Sequence, residues 1–320
     1  LHGWFIGHES VRFQCFSRKH NFLKEKAAAK LNVACAGDII ITTVSSIKHL
    51  ASAAVGLCSL LLAIPLLPVV SHAQDVAKSG SDGWTITLGA TVEYGPSYPG
   101  AKHNAFGGLP SFDIRRMGEP AGLSAPDDNL DYTLFQFHGF DVGPVVGLRG
   151  GRSASDDWRL TGLNDVNWNI DAGVFVQYWP IEDRLRLRAE TRQALWGRDG
   201  LVADLSIDWF QPITSDLVLS AGPRASLANS TYMHNNFGIS AQEAAKNGRL
   251  GPFDAGAGLK SIGFSVAATY TVSPHWSIQV YDRYDRLVND AASSPITSII
   301  GNRDQNVVGF SINRSFDVGF

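Results

Sequence analysis

The feature that most constrains this chain is a strict alternation of apolar and polar residues, held over segments of about ten residues and broken by Gly, Pro, Asp and Asn. In residues 84–94, Trp84, Ile86, Leu88, Ala90, Val92 and Tyr94 take one parity, and Thr85, Thr87, Gly89, Thr91 and Glu93 the other. Successive strand side chains point to opposite faces, so this segment is a strand with one apolar side, closed at both ends by aromatics. Ten residues at about 3.3 Å, tilted about 45°, span roughly 23 Å, the height of the apolar band between the aromatic girdles of an outer-membrane barrel. Residues 168–178 repeat the pattern: Trp168, Ile170, Ala172, Val174, Val176 and Tyr178 oppose Asn169, Asp171, Gly173, Phe175 and Gln177. A soluble β-sandwich also alternates, but it has no need of aromatics at both ends of an apolar face one membrane thickness apart.

The same reading predicts strands at 106–115, 132–138, 140–149, 184–195, 201–210, 217–227, 261–272, 276–287 and 307–316. Short connections at 180–183, 212–216 and 273–275 read as periplasmic turns, and long ones at 150–167, 228–256 and 288–306 as extracellular loops. These segments make an odd set, whereas single-chain bacterial barrels use an even number of strands. Counting directions inward from both ends requires two strands between Arg116 and Phe140, so 117–130 is expected to hold a short one. The expected fold is therefore all-β: an antiparallel transmembrane β-barrel over 84–320 with about 12 strands, alternatively about 10. Asp282 falls on the apolar face of 276–284, where a bulge is expected to re-aim it. Phe310, Ile312, Phe316, Val318 and Phe320 share one parity, an ending similar to that of barrels handled by the outer-membrane assembly machinery. Arg314 interrupts that series near the periplasmic rim, where a long side chain can snorkel.

Upstream, a basic flank at Lys48 precedes an apolar run from Leu50 to Val70, then Ser71, His72 and Ala73. This is the pattern of a signal peptide over 44–73 cleaved ahead of Gln74, and the small-residue site suits cleavage better than a retained anchor. Cys58 lies within the run behind Leu57, where a lipid-attachment site would have a small residue. Residues 1–43 read as an over-extended start, with initiation near Val44 or Ile47, and 74–83 as a periplasmic lead-in. Export to the cell outer membrane is the expectation, with its lipid as the surrounding medium. Cys15, Cys35 and Cys58 all precede the cleavage site, so the exported part carries no disulfide or cysteine metal site. Seven Lys/Arg and three Asp/Glu also precede it, leaving 20 basic against 27 acidic residues, a net charge of −7. That balance argues against nucleic acid as a partner.

Two loop segments carry a family signature. Tyr232, Phe237, Gly238, Ile239, Ser240, Ala244 and Gly248 follow the spacing of one loop, and Arg286, Leu287, Asp290, Ala291, Ser294, Pro295 and Ile296 that of a second. With Phe140 to Pro144 and Arg149 to Arg152, they resemble the MltA-interacting protein (MipA/OmpV) family over most of 84–316. Asn247 stands where that family usually has Ser, and 317–320 extend past its usual terminal strand. The resemblance implies an outer-membrane barrel. It also implies a scaffold role in which a lytic transglycosylase and a peptidoglycan synthase are the partners.

Chemistry-bearing residues are few. On the strand from Arg184, the residues Arg184, Arg186, Arg188, Glu190 and Arg192 share the lumen parity, and the next strand turns Asp204, Ser206 and Asp208 inward. These charges are expected to meet across the hairpin as ion pairs, since buried charges are tolerated when paired or wet. The alternative is an arginine ladder that selects anions in a narrow pore. His103 and His234 fall in expected outer loops, and His138 and His275 near periplasmic turns. The chain has no G-x-S-x-G, H-E-x-x-H, Walker or Rossmann motif, so it reads as a non-enzyme without cofactor. Residues 239–245 have the composition of a short helix with Ser240 as N-cap, Glu243 completing a capping box and Gly248 ending it.

Overall fold

The computed structural model describes residues 83–196 and 200–319. The expected N-terminal extension, signal peptide and lead-in up to residue 82 lie outside them. Twelve strands form one antiparallel sheet: β1 (Gly83–Pro96), β2 (Asn104–Arg116), β3 (Leu130–Asp131), β4 (Phe135–Phe137), β5 (Phe140–Arg149), β6 (Asn169–Ile181), β7 (Leu185–Ala194), β8 (Leu201–Pro212), β9 (Leu217–Ala228), β10 (Gly258–Ser273), β11 (Trp276–Leu287) and β12 (Asp304–Gly319). Each strand from β5 to β12 pairs with its sequence neighbour, and β12 returns to pair with β1 from Trp84↔Val318 to Tyr94↔Val308. The result is a nearly closed barrel, with β2 and the short β3 and β4 at the two ends of the sheet.

Its polarity is the reverse of a soluble domain. Leu88, Val92, Val174, Leu205, Phe310 and Ile312 are exposed on the outer surface, whereas Arg186, the largest fully buried side chain, is 1% exposed. Asp208, at 1%, is buried against it, and Asp171, at 0%, is buried elsewhere in the lumen. An apolar exterior around a charged interior is stable only where the solvent is lipid. Aromatic rings mark the two rims. Tyr94 and Phe106 lie 5.0 Å apart at the outer rim. Phe137, Phe140 and Tyr178 stack at the other, 5.6 Å and 4.4 Å apart. Arg314 lays its guanidinium 4.7 Å from the Phe316 ring and 5.2 Å from Trp276, covering aromatic surface while its charge reaches the rim.

The turns follow local chemistry. His138 and Gly139 both have positive φ between the paired residues Phe137 and Phe140, the two-residue turn whose twist matches an antiparallel hairpin. The expected bulge at Asp282 is absent: β11 keeps its register through Asp282↔Val308 and Asp282↔Val266. Asp282 is instead level with Tyr94 at the outer girdle, where Asn306 donates a hydrogen bond to it, so no re-aiming is required.

The segment 117–129 departs from expectation too. It forms no strand, and the missing element is β3, at the far end of the expected stretch. Pro120 and Pro126 cannot donate to a ladder, and Asp127, Asp128 and Asn129 find partners inside the barrel. The chain therefore leaves β2 at the periplasmic end, enters the lumen and returns along β5 as β3 and β4.

Candidate functional site

The interior is a lattice of ion pairs built from alternating positions of adjacent strands. Arg186 and Asp208 are direct cross-strand partners on β7 and β8, and their side chains meet at 2.8 Å. Arg186 also holds Asp128 of the luminal segment at 2.6 Å. Arg188 contacts Asp131 at 2.7 Å and Glu190 at 3.0 Å. Arg192 bridges Glu190 at 3.0 Å and Asp204 at 2.5 Å. Arg184 stands one residue before β7, on the turn, and Ser206 lies opposite Arg188.

Sequence parity pointed to this hairpin but missed half of the lattice. Arg224 on β9 grips Asp127 and Asp208, both at 2.7 Å. Arg149 meets Asp171 at 2.5 Å, and Arg283 meets Asp285 at 2.8 Å. The strand residues share the inward parity of their own segments and were legible that way. Asp127, Asp128 and Asp131 were not, because 117–131 has no periodicity to read. Between this lattice and the mouth is a cavity of about 380 Å³, whose wall includes Glu93, Asp204, Arg192, Lys260 and Tyr281. Cations and carboxylates face it together, so it is not a one-sign anion funnel.

The mouth is covered by the family-like loops. They form four helices, α1 (Ser230–Phe237), α2 (Ala241–Asn247), α3 (Asn289–Ser293) and α4 (Pro295–Ser298). Met233, Phe237, Ala291 and Ile296 are fully buried there, and each large apolar side chain so buried contributes about 1.5–3 kcal/mol. Ser294, also buried, donates through Oγ to the Phe237 carbonyl at 2.6 Å and accepts from the Ile296 N–H, with Pro295 opening α4. Ser240 and Glu243 form the expected capping box, Ala244 accepts the N–H of Gly248, and Gly248 closes α2 with φ 68°. Gly238 must be glycine-sized, since a Cβ there would lie 2.4 Å from the His234 carbonyl oxygen. Ser240, Gly248, Ser294 and Pro295 of the signature thus hold the cap together.

Two titrating groups in the cap report its packing. Burial, reinforced by Asp157, pushes the Tyr98 phenol up to about 12. Burial also pushes the Glu243 carboxyl up, but hydrogen bonds from Ser240 and from the Asn164 N–H outweigh it and leave the group below its ordinary 4.5. A depressed carboxyl stabilises the folded state above its ordinary pKa, and that contribution is lost as pH falls through the folded value. Acidification below about pH 4.5 is therefore expected to loosen the cap. Protease cleavage within 150–168 should rise with a transition that Glu243→Gln abolishes.

Of the four histidines among the described residues, His234 approaches a carboxylate: its Nδ1 is 3.4 Å from Asp254, and both side chains are largely exposed to water. Among the described residues no cluster of His, Cys, Asp and Glu has metal-binding geometry.

An apolar-faced, aromatic-girdled β-barrel with a paired-charge lumen and a loop-built cap is a barrel of the outer-membrane type. The family model described as MltA-interacting protein MipA matches residues 88–316. The chain belongs to that family. No curated protein matches it. Among solved structures, it is similar to an outer membrane channel from Pseudomonas putida, at 9% identity and TM-score 0.37, covering 77% of this chain and 100% of that one. The CymD monoaromatic hydrocarbon channel is 11% identical with TM-score 0.33, covering 74% and 89%. The outer membrane channel DcaP of Acinetobacter baumannii is 10% identical with TM-score 0.29, covering 75% and 99%.

Proposed function

We propose that this protein is a non-enzymatic, non-conducting scaffold of the outer membrane, which holds peptidoglycan-processing enzymes at the periplasmic face. The observation that carries the reading is the occupation of the lumen by the chain itself. Segment 117–131 is fastened to the far wall through Asp127 and Asp128 on Arg224 and Arg186. Above it, the fully buried residues of the cap fill the mouth. A barrel blocked in this way has no free aqueous path, and its value to the cell lies in what its surfaces bind. The matched family is named for interaction with MltA, a lytic transglycosylase, which supports an enzyme of that class as a partner; a peptidoglycan synthase is the second partner that the family resemblance implies.

A narrow channel is the second reading, favoured by the charged cavity of about 380 Å³ beneath the cap. Planar-bilayer recording separates the two. The purified barrel should show no stepwise conductance, and crosslinking in intact cells should recover a murein hydrolase or synthase bound near the periplasmic turns. Stable current steps with a salt-dependent ion preference, and no enzyme recovered, would overturn the scaffold.

A further inference from the structure

The ion pairs of the lumen leave two charges over at the cavity beneath the cap. Its wall holds five arginines, each within 3.0 Å of a carboxylate. Of its seven carboxylates, six are taken by those arginines or by Arg186. What remains is one cation, Lys260, and one carboxylate, Glu93, and among the described residues neither forms an ion pair.

Lys260 faces the cavity because the backbone of β10 is irregular there. On the β9–β10 ladder Leu259 stands opposite Leu227 and Ser261 opposite Ser226, so Lys260 is an extra residue without a partner on β9. Ser226 and Ser261 are buried in the lumen, whereas Ile262 is exposed on the outer surface. Strict alternation would give Lys260 the parity of Ile262 and turn it toward lipid. The bulge turns it inward instead, and the N–H of Val288, just past β11, holds its carbonyl at 2.9 Å. Its ammonium lies 5.0 Å from the ring centre of Tyr232 on α1, at the floor of the cap. Asp204 on the same wall is already occupied, by Arg192 through one oxygen and by the Ser226 hydroxyl through the other, each at 2.5 Å. Glu93 reaches the wall from β1 and accepts the Tyr281 hydroxyl at Oε1. Its Oε2 accepts no bond among the described residues.

A lysine re-aimed by a bulge and left out of the ion-pair lattice adds nothing to the barrel's own pairing. A simple anion would suit Lys260 and be repelled by Glu93, and a simple cation the reverse. A molecule with one charge of each sign complements both. The volume of about 380 Å³ stands near the small end of the roughly 300–1,000 Å³ typical of small-molecule sites. We propose that this cavity binds a small zwitterion, an amino acid or a dipeptide, with its carboxylate on Lys260 and its ammonium on Glu93. The site goes beyond the scaffold reading and does not rest on it.

The test is isothermal titration calorimetry on the folded barrel, purified from outer membranes in a non-ionic detergent, with alanine, glutamine and alanyl-alanine as probes. At least one probe should bind. Blocking either of its charges, by N-acetylation or by C-terminal amidation, should weaken it about tenfold or more. Lys260→Met should abolish the preference for the free acid over the amide and keep the preference for the free amine over the acetylated form. Glu93→Gln should do the opposite. That reciprocal loss is one a general loosening of the fold would not produce, and an unchanged heat-shift on a gel shows that each variant is folded. Lys260→Gln replaces Lys260→Met if the latter does not fold. No binding of any probe, equal binding of free and blocked forms, or unchanged preferences in the folded variants would overturn the site. Acetylated probes that bind as tightly as the free ones, with binding lost in Lys260→Met, would make it a simple anion site and overturn the proposal as well.

Discussion

Arg186→Ala should lower the stability of the folded barrel by about 3–5 kcal/mol, seen as a shift of the urea midpoint followed by tryptophan fluorescence. Arg186 is 1% exposed and satisfies two carboxylates on different elements, Asp128 of the luminal segment and Asp208 of β8. Truncation leaves Asp128 with Arg188 at 3.7 Å and Asp208 with Arg224 at 2.7 Å, and under-compensated buried charge is costly because water cannot solvate it. The loss should also exceed that of an ordinary pair, since Asp208 is shared with Arg224 and the lattice is coupled. Arg286→Ala is the control. Its pair with Asp304 lies at the exposed outer rim, where water and salt screen it, and its midpoint should not move. Equal effects from the two substitutions would mean that the lattice is wet rather than buried.

Releasing the luminal segment should have the largest functional effect. Asp127→Ala with Asp128→Ala removes its ion pairs with Arg224 and Arg186. The double variant is expected to pass from silence to stepwise conductance in planar bilayers. Its current should favour anions, because the lumen gains two net positive charges while Arg188 and Arg192 continue to line the path. Substituting Arg186 and Arg188 with Ala in that background should then reduce the anion preference measured as a reversal potential. A double variant that stays silent would assign the block to the cap rather than to the segment.

The strand pattern and the cap were legible in advance for different reasons. Alternation is imposed on each strand by its two solvents, lipid outside and polar lumen inside, so one segment such as 84–94 shows it without reference to any other. The capping box of Ser240 and Glu243 is equally local, because its bonds close within one helical turn. Register, in contrast, depends on residues far apart in the chain. The pairing of β1 with β12, and the level of Asp282 with Tyr94 at the girdle, could not be read from either strand alone, which is why a bulge was expected where none occurs.

What the amino-acid sequence determined by itself was the class of fold and the inward-facing charges of β7 and β8, since both follow from a two-residue period. Only the tertiary structure decided what those charges do. Their partners include Asp127 and Asp128, on a segment without periodicity that folds into the lumen instead of supplying a strand. That choice is made by summed competition between ladder hydrogen bonds, which Pro120 and Pro126 weaken, and buried arginines that require carboxylates.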